Sequence, residues 1–221
     1  MDSILSIERL TSVLARVLVW FTAIPLHESS HGLVSYWLGD PTAKREGRIT
    51  LNPFKHLDLM GTICLIIGGI GWAKPVPINP NYYKNRKLGM ALSAVAGPLS
   101  NFVMATILLV LLKMFFLFFS VFSINVNVLE FIIHVLYLMS ITNIVLCVFN
   151  LLPVPPFDGS RIYLIFLPEK WYFGIMKYER IMMGAVFIIL FTGILDRPLS
   201  YMYTSVIIFL DWATGFLGRL F

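Results

Sequence analysis

"IPLHESSHGLVSYWLGD", residues 24–40, sets two histidines and a glutamate inside a run that otherwise has the composition of a membrane helix. Ionisable side chains are costly in lipid, so three within five positions require a partner or a task. The rest of the chain makes lipid the relevant solvent. Of its 221 residues, 58% are hydrophobic and 13% charged, and the mean hydropathy is +0.81; soluble domains run near a quarter charged. Stretches free of Asp, Glu, Lys and Arg cover residues 88–112 (25 residues) and 131–157 (27 residues), and about 20 apolar residues suffice for one transmembrane helix.

Working outward, apolar segments predict spans at 14–38, 88–118, 128–149, 181–195 and 199–217. The first stops at Gly39-Asp40-Pro41, a helix terminator, and Ser123 to Asn127 form the turn between the second and third. A further apolar segment, 59–73, has only 15 residues and four glycines. At 1.5 Å per residue it reaches about 22 Å, less than a hydrocarbon core of about 30 Å, so it is a short tilted span or a re-entrant element. "RITL", residues 48–51, is a strand candidate, and "GWAKPVPINPNYY", residues 71–83, has prolines at 75, 77 and 80 that forbid helix and favour an extended edge. The expected fold is an all-α multi-pass membrane protein with about six transmembrane helices and a small membrane-associated β-hairpin or sheet. Residues 1–221 are expected to form a single domain, because the spans leave little chain for anything else.

Asp2 and Glu8 precede the first apolar stretch and no small-residue cleavage site follows, so no signal peptide is expected and the first span serves as its own insertion signal. The net charge of +5 reports topology rather than nucleic acid: Lys44, Arg45, Arg48 and Lys55 follow the first span, and Lys84, Arg86 and Lys87 precede the span at 88. The positive-inside rule puts both basic loops in the cytoplasm and residues 119–127 outside, which requires 59–73 to be re-entrant. Cys64 and Cys147 lie in apolar segments 83 positions apart and are expected to be reduced core residues.

On a helix His27 and His31, four apart, share a face, and Glu28 lies about 100° around from His27. This is the geometry of an H-E-x-x-H zinc site: two imidazoles hold the metal while the carboxylate takes a proton from its water. With four histidines and six glutamates in the chain, the pattern should arise by chance only about 0.002 times, so it outranks most short motifs. A third ligand must come from His56, His134 or a carboxylate. Asp158 is favoured, because "FNLLPVPPFDGSRI", residues 149–162, interrupts a hydrophobic span with three prolines and then presents a carboxylate. Non-helical backbone at membrane depth is tolerated only inside protein or beside a water-filled cavity. Zn²⁺ with Asp158 and Glu28 sums to zero charge. A helix cap for residues 159–166, or a partner for Arg161, is the alternative for Asp158.

His27-Glu28-Ser29-Ser30-His31 early in the chain, with Asn150 to Gly159 ("NLLPVPPFDG") late in it, resembles the site-2 protease family of intramembrane zinc metalloproteases. Its signature pairs H-E-x-x-H with N-x-x-P-x-P-x-x-D-G. "GWAKPVPINP" (71–80) and "AGPLSN" (96–101) resemble stretches of its small members without a PDZ domain, and the likeness covers roughly residues 15–165. The resemblance implies one Zn²⁺ per chain with His27, His31 and Asp158 as ligands and Glu28 as general base. It implies that Asn150 lies near the site and hydrogen-bonds substrate or oxyanion; an interhelical hydrogen bond is the alternative. For Asn101 the choice is between substrate binding and helix packing. The implied partners are a membrane-protein substrate and the lipid bilayer, with no nucleic acid and no oligomeric state set by the sequence. The expected location is a prokaryotic cell membrane, with the site nearer the cytoplasmic side. The competing functions are a metal-binding membrane transporter and an inactive protease-like partner.

Overall fold

A computed structural model of the chain describes residues 2–68, 72–119 and 126–215. The first helix, α1 (Asp2–Trp37), runs through Pro25 and carries His27, His31 and Ser35 on one buried stripe, as a four-residue spacing dictates. It stops at Gly39, whose φ of 107° suits glycine. Asp40 follows, fully buried, and accepts from Ser35 Oγ (3.0 Å), the Thr42 amide (2.9 Å) and the Asn79 amide (2.7 Å). Burial alone would raise the Asp40 pKa, but these donors and the Thr42 hydroxyl favour the carboxylate and hold it below the ordinary value.

A short helix, α2 (Thr42–Arg45), leads to α3 (Leu59–Gly68), and an extended stretch returns through residues 72–79. Then come α4 (Arg86–Phe119) and α5 (Val126–Asn150), followed by α6 (Asp158–Tyr163), α7 (Glu169–Met176), α8 (Glu179–Phe191) and α9 (Asp196–Thr214). α4 is the hub, in contact with α1, α5, α6 and α9. Its sequence has two faces. Ala91, Ser93, Ala94, Ala96, Asn101 and Ala105 are buried, whereas Leu88, Leu92, Leu99, Val103, Ile107 and Leu111 are exposed. Small residues inside and branched aliphatics outside are the arrangement of a helix whose solvent is lipid, since close backbone approach replaces the hydrophobic drive between helices. Ser140 Oγ on α5 donates to the Ala105 carbonyl at 3.1 Å, and below it Ala105, Ile144, Val148 and Leu210 form an apolar cluster joining α4, α5 and α9.

Two expectations are corrected. No strand, hairpin or sheet occurs among the described residues; one isolated antiparallel bridge joins Leu57 to Ala73. The physical reason lies in residues 74–79. Pro75 and Pro77 have no N–H to give a ladder, and the amides of Val76 and Asn79 are spent on the Glu28 and Asp40 carboxylates. The bridge brings Leu57, just before the 59–73 segment, beside Ala73 at its end.

The six expected spans reduce to two among the described residues: only 86–116 and 128–150 are long and apolar enough to cross a membrane. α1 has the length, but over residues 20–37 His27, Glu28 and His31 with their serine neighbours dilute its apolar character. α3 has 10 residues and α8 has 13, too few at 1.5 Å each. α9 has 19 but includes Asp196, Arg197 and Asp211, the last paired with Lys113 of α4 at 2.6 Å. The expected turn at 123–127 lies outside the described residues up to 125; α5 begins at Val126.

Candidate metal centre

Two elements far apart in sequence converge. α1 supplies His27 and His31, and the start of α6 supplies Asp158, all three buried. His27 Nε2 and His31 Nε2 stand 3.0 Å apart, and Asp158 Oδ2 is 3.2 Å from the first and 3.1 Å from the second. Tautomers follow from the other ring nitrogens. His31 Nδ1 is 2.7 Å from the Ser93 carbonyl, which only accepts, so Nδ1 carries the proton. His27 Nδ1 is 2.9 Å from Asn101 Oδ1, assigned the same way. Both Nε2 atoms therefore present lone pairs to each other and to a carboxylate oxygen.

Three electron-rich atoms at this spacing repel unless a cation sits among them. A tetrahedral zinc with arms of about 2.05 Å has ligand–ligand edges of about 3.3 Å, close to the 3.0, 3.1 and 3.2 Å observed. The donor set thus fits Zn²⁺, with the outer hydrogen bonds that fix ring orientation already made.

The backbone around the centre explains several sequence choices. Pro98 removes one rung of the α4 ladder close to the Ser93 carbonyl that serves His31. At Gly97 any Cβ would collide with both histidine rings. At Gly159 a Cβ would strike the carbonyls of Leu151 and Leu152, so only glycine after Asp158 lets the irregular 151–157 loop fold back onto α6. Lys87 at the start of α4 donates to the carbonyls of Ile165 (2.7 Å) and Leu167 (2.5 Å), fastening the Asp158-bearing segment to α4. Gly97→Ala should accordingly lower zinc content and any hydrolytic rate together, by about 10- to 100-fold, the usual cost of disturbing ligand orientation. Metal analysis alongside initial rates checks it; normal zinc and rate would show that the rings have room.

Glu28 lies on α1 beside the trio, and its Oε2 accepts the Val76 amide at 2.9 Å. Asn101, read from sequence as a substrate or packing residue, is fully buried and orients His27; its Nδ2 is buried with no hydrogen-bond partner among the described residues. Asn150, the last residue of α5, donates to its own helix at Leu146 O (2.9 Å) and makes no bond to the trio. His56 is fully buried, with Nε2 on the Thr50 carbonyl at 2.9 Å, and His134 is exposed on α5; neither joins the cluster. Cys147 is a buried free thiol, and the Cys64 side chain lies outside the described residues. Sequence reasoning missed Ser93, Gly97 and Val76, although the last two sit inside the "AGPLSN" and "GWAKPVPINP" stretches singled out above.

A helical chain with an apolar helix pair and a His-Glu-x-x-His plus Asp centre has the architecture of a membrane zinc metallopeptidase. Residues 118–193 match the profile of peptidase family M50. YwhC of Bacillus subtilis is 42% identical over 150 residues, covering 66% of each chain. Rip2 of Mycolicibacterium smegmatis is 33% identical over 147 residues, covering 63% of this chain and 52% of that one. A protein of Methanocaldococcus jannaschii is 26% identical over 193 residues, covering 86% and 45%. All three carry zinc metalloprotease names, and the chain spans just under two thirds of the first and about half of the other two. No solved structure matches the chain. The chain belongs to peptidase family M50, the site-2 protease family.

Proposed function

We propose that this protein is an intramembrane zinc metallopeptidase that hydrolyses a peptide bond in or beside the membrane-spanning segment of a substrate protein. One Zn²⁺ per chain would be held by His27, His31 and Asp158. The observation that carries this is the convergence of two imidazole Nε2 atoms and one carboxylate oxygen within 3.2 Å of each other beside Glu28. When bound, zinc supplies Lewis-acid activation of water and of the scissile carbonyl. The protein's own residues do the remainder. Asn101 and the Ser93 carbonyl hold the imidazoles in the Nδ1–H tautomer, and Asp158 offsets charge. Glu28 receives the water proton at Oε1 and returns it to the leaving amine, the two halves of general base and general acid work.

Depth supports an intramembrane substrate. Gly97, against which both histidines pack, is eleven residues along α4 from Arg86, or about 16 Å at the helical rise. This position along α4, within its apolar length and nearer the end bearing the basic loops, supports a centre buried in the membrane toward the side that the positive-inside rule makes cytoplasmic. A helical substrate hides its carbonyls in intrahelical bonds, so helix-breaking residues near the cleavage point should raise its rate. The test is cleavage of a single-span substrate by purified protein in a bilayer, with chelator and with zinc restored. Zinc-dependent, reversible loss of cleavage is expected. Metal flux across sealed vesicles without cleavage would favour the transporter and overturn the proposal.

A further inference from the structure

A main-chain donor reaches Glu28 across the fold. The Val76 amide donates to its Oε2 at 2.9 Å, across 48 residues of sequence. We infer that the extended segment 72–79 positions the general base through this one amide, a role that rests on the peptidase reading above.

The sequence around Val76 leaves no substitute donor. Pro75 and Pro77 flank it, and proline has no N–H, so a slip of one residue in either direction would present Glu28 with no main-chain donor. The segment is pinned on both sides of Val76. The Lys74 amide donates to the His56 carbonyl at 2.9 Å, the buried Arg48 donates from Nη2 to the Lys74 carbonyl at 2.6 Å, and the Asn79 amide donates to Asp40 Oδ2 at 2.7 Å. It also lies close against α1. Val76 is buried, and a Cβ added at Gly32, one turn beyond Glu28, would stand 3.2 Å from Val76 Cγ1 and from Ile49 Cγ1. A side chain at Gly32 would require these neighbours to give by a few tenths of an ångström, so the bare glycine suits the close approach of the segment to α1.

A free glutamate samples several rotamers, and freezing them costs free energy; catalytic groups work only when held within about 0.5 Å of productive geometry. The amide supplies that restraint. It engages Oε2 and leaves Oε1 as the oxygen that takes the proton. The amide is therefore a positioning group, acting on the reaction through Glu28.

Val76→Pro deletes the N–H, while Val76→Ala keeps it and trims only packing. With zinc-loaded protein, Val76→Pro should lower kcat about 10- to 100-fold, the range typical of supporting hydrogen bonds, with KM and zinc content unchanged; Val76→Ala should stay within about threefold. In a Glu28→Gln background, Val76→Pro should have no further effect on the residual rate. If Val76→Pro fails to fold, replacing Val76 by its α-hydroxy acid, an amide-to-ester change, deletes the donor and keeps the side chain. A readout independent of activity is amide hydrogen exchange in zinc-free protein, where Val76 should be protected and should exchange at least about tenfold faster in Glu28→Ala. Equal losses in the proline and alanine variants, an additive loss in the Glu28→Gln background, or an unprotected Val76 amide would overturn the inference while leaving the peptidase reading intact. A wild-type protein that cleaves nothing, with zinc bound, would overturn both.

Discussion

Glu28→Gln should keep about one zinc per chain and lose catalysis by about 10²- to 10⁴-fold, the usual cost of removing a general base. The change is close to isosteric, and the structure shows why it isolates chemistry from architecture. The glutamine carbonyl can still accept the Val76 amide where Oε2 now does at 2.9 Å, so the extended segment stays in place. What the amide cannot do is accept a proton on the atom that replaces Oε1. The zinc-holding atoms, His27 Nε2, His31 Nε2 and Asp158 Oδ2, are untouched by the substitution. Metal analysis and single-turnover cleavage on the same sample make the measurement, and unchanged turnover would end the hydrolase mechanism.

How much of this was legible in the sequence depends on how local each feature is. His27, Glu28 and His31 are neighbours on one helical turn, so their shared face follows from the 3.6-residue period alone. Asp158 was legible because three prolines forced an irregular segment into an apolar region, which is itself a signal. Asn101 lies 74 residues from the ring it orients, and the Ser93 carbonyl that fixes His31 is a backbone atom that no residue identity announces. Such contacts belong to the packing of α1 on α4. The expected sheet failed for a related reason. Extended segments can pair with one another, but here the Val76 and Asn79 amides bond to carboxylates on α1 and in the loop after it. The expected span count fails because a span needs length and apolarity in one helix: α9 is long but charged, α8 apolar but short.

Asp158→Asn should release zinc, and this is the result that joins the two distant motifs into one site. Asp158 is the first residue of α6, so a helix cap or a partner for Arg161 are the bland alternatives. Both positions are otherwise occupied. Arg161 pairs through Nη2 with Glu179 Oε1 at 3.2 Å, and the side chain of Asp158 turns to the imidazoles, with Oδ2 at 3.2 and 3.1 Å. If it is the third ligand, Asp158→Ala leaves two neutral imidazoles, and zinc and cleavage should fall together, by more than the roughly 10- to 100-fold that outer hydrogen-bond partners command. If it were a cap, zinc would stay bound and the loss would appear as about 0.5 to 2 kcal/mol of stability. Asparagine separates the cases more sharply than alanine. Its amide caps a helix as well as a carboxylate does, but it is a poor, neutral ligand that leaves the metal's charge uncompensated in a buried site. Full zinc occupancy in purified Asp158→Asn would exclude Asp158 as a ligand and require the third donor to come from elsewhere.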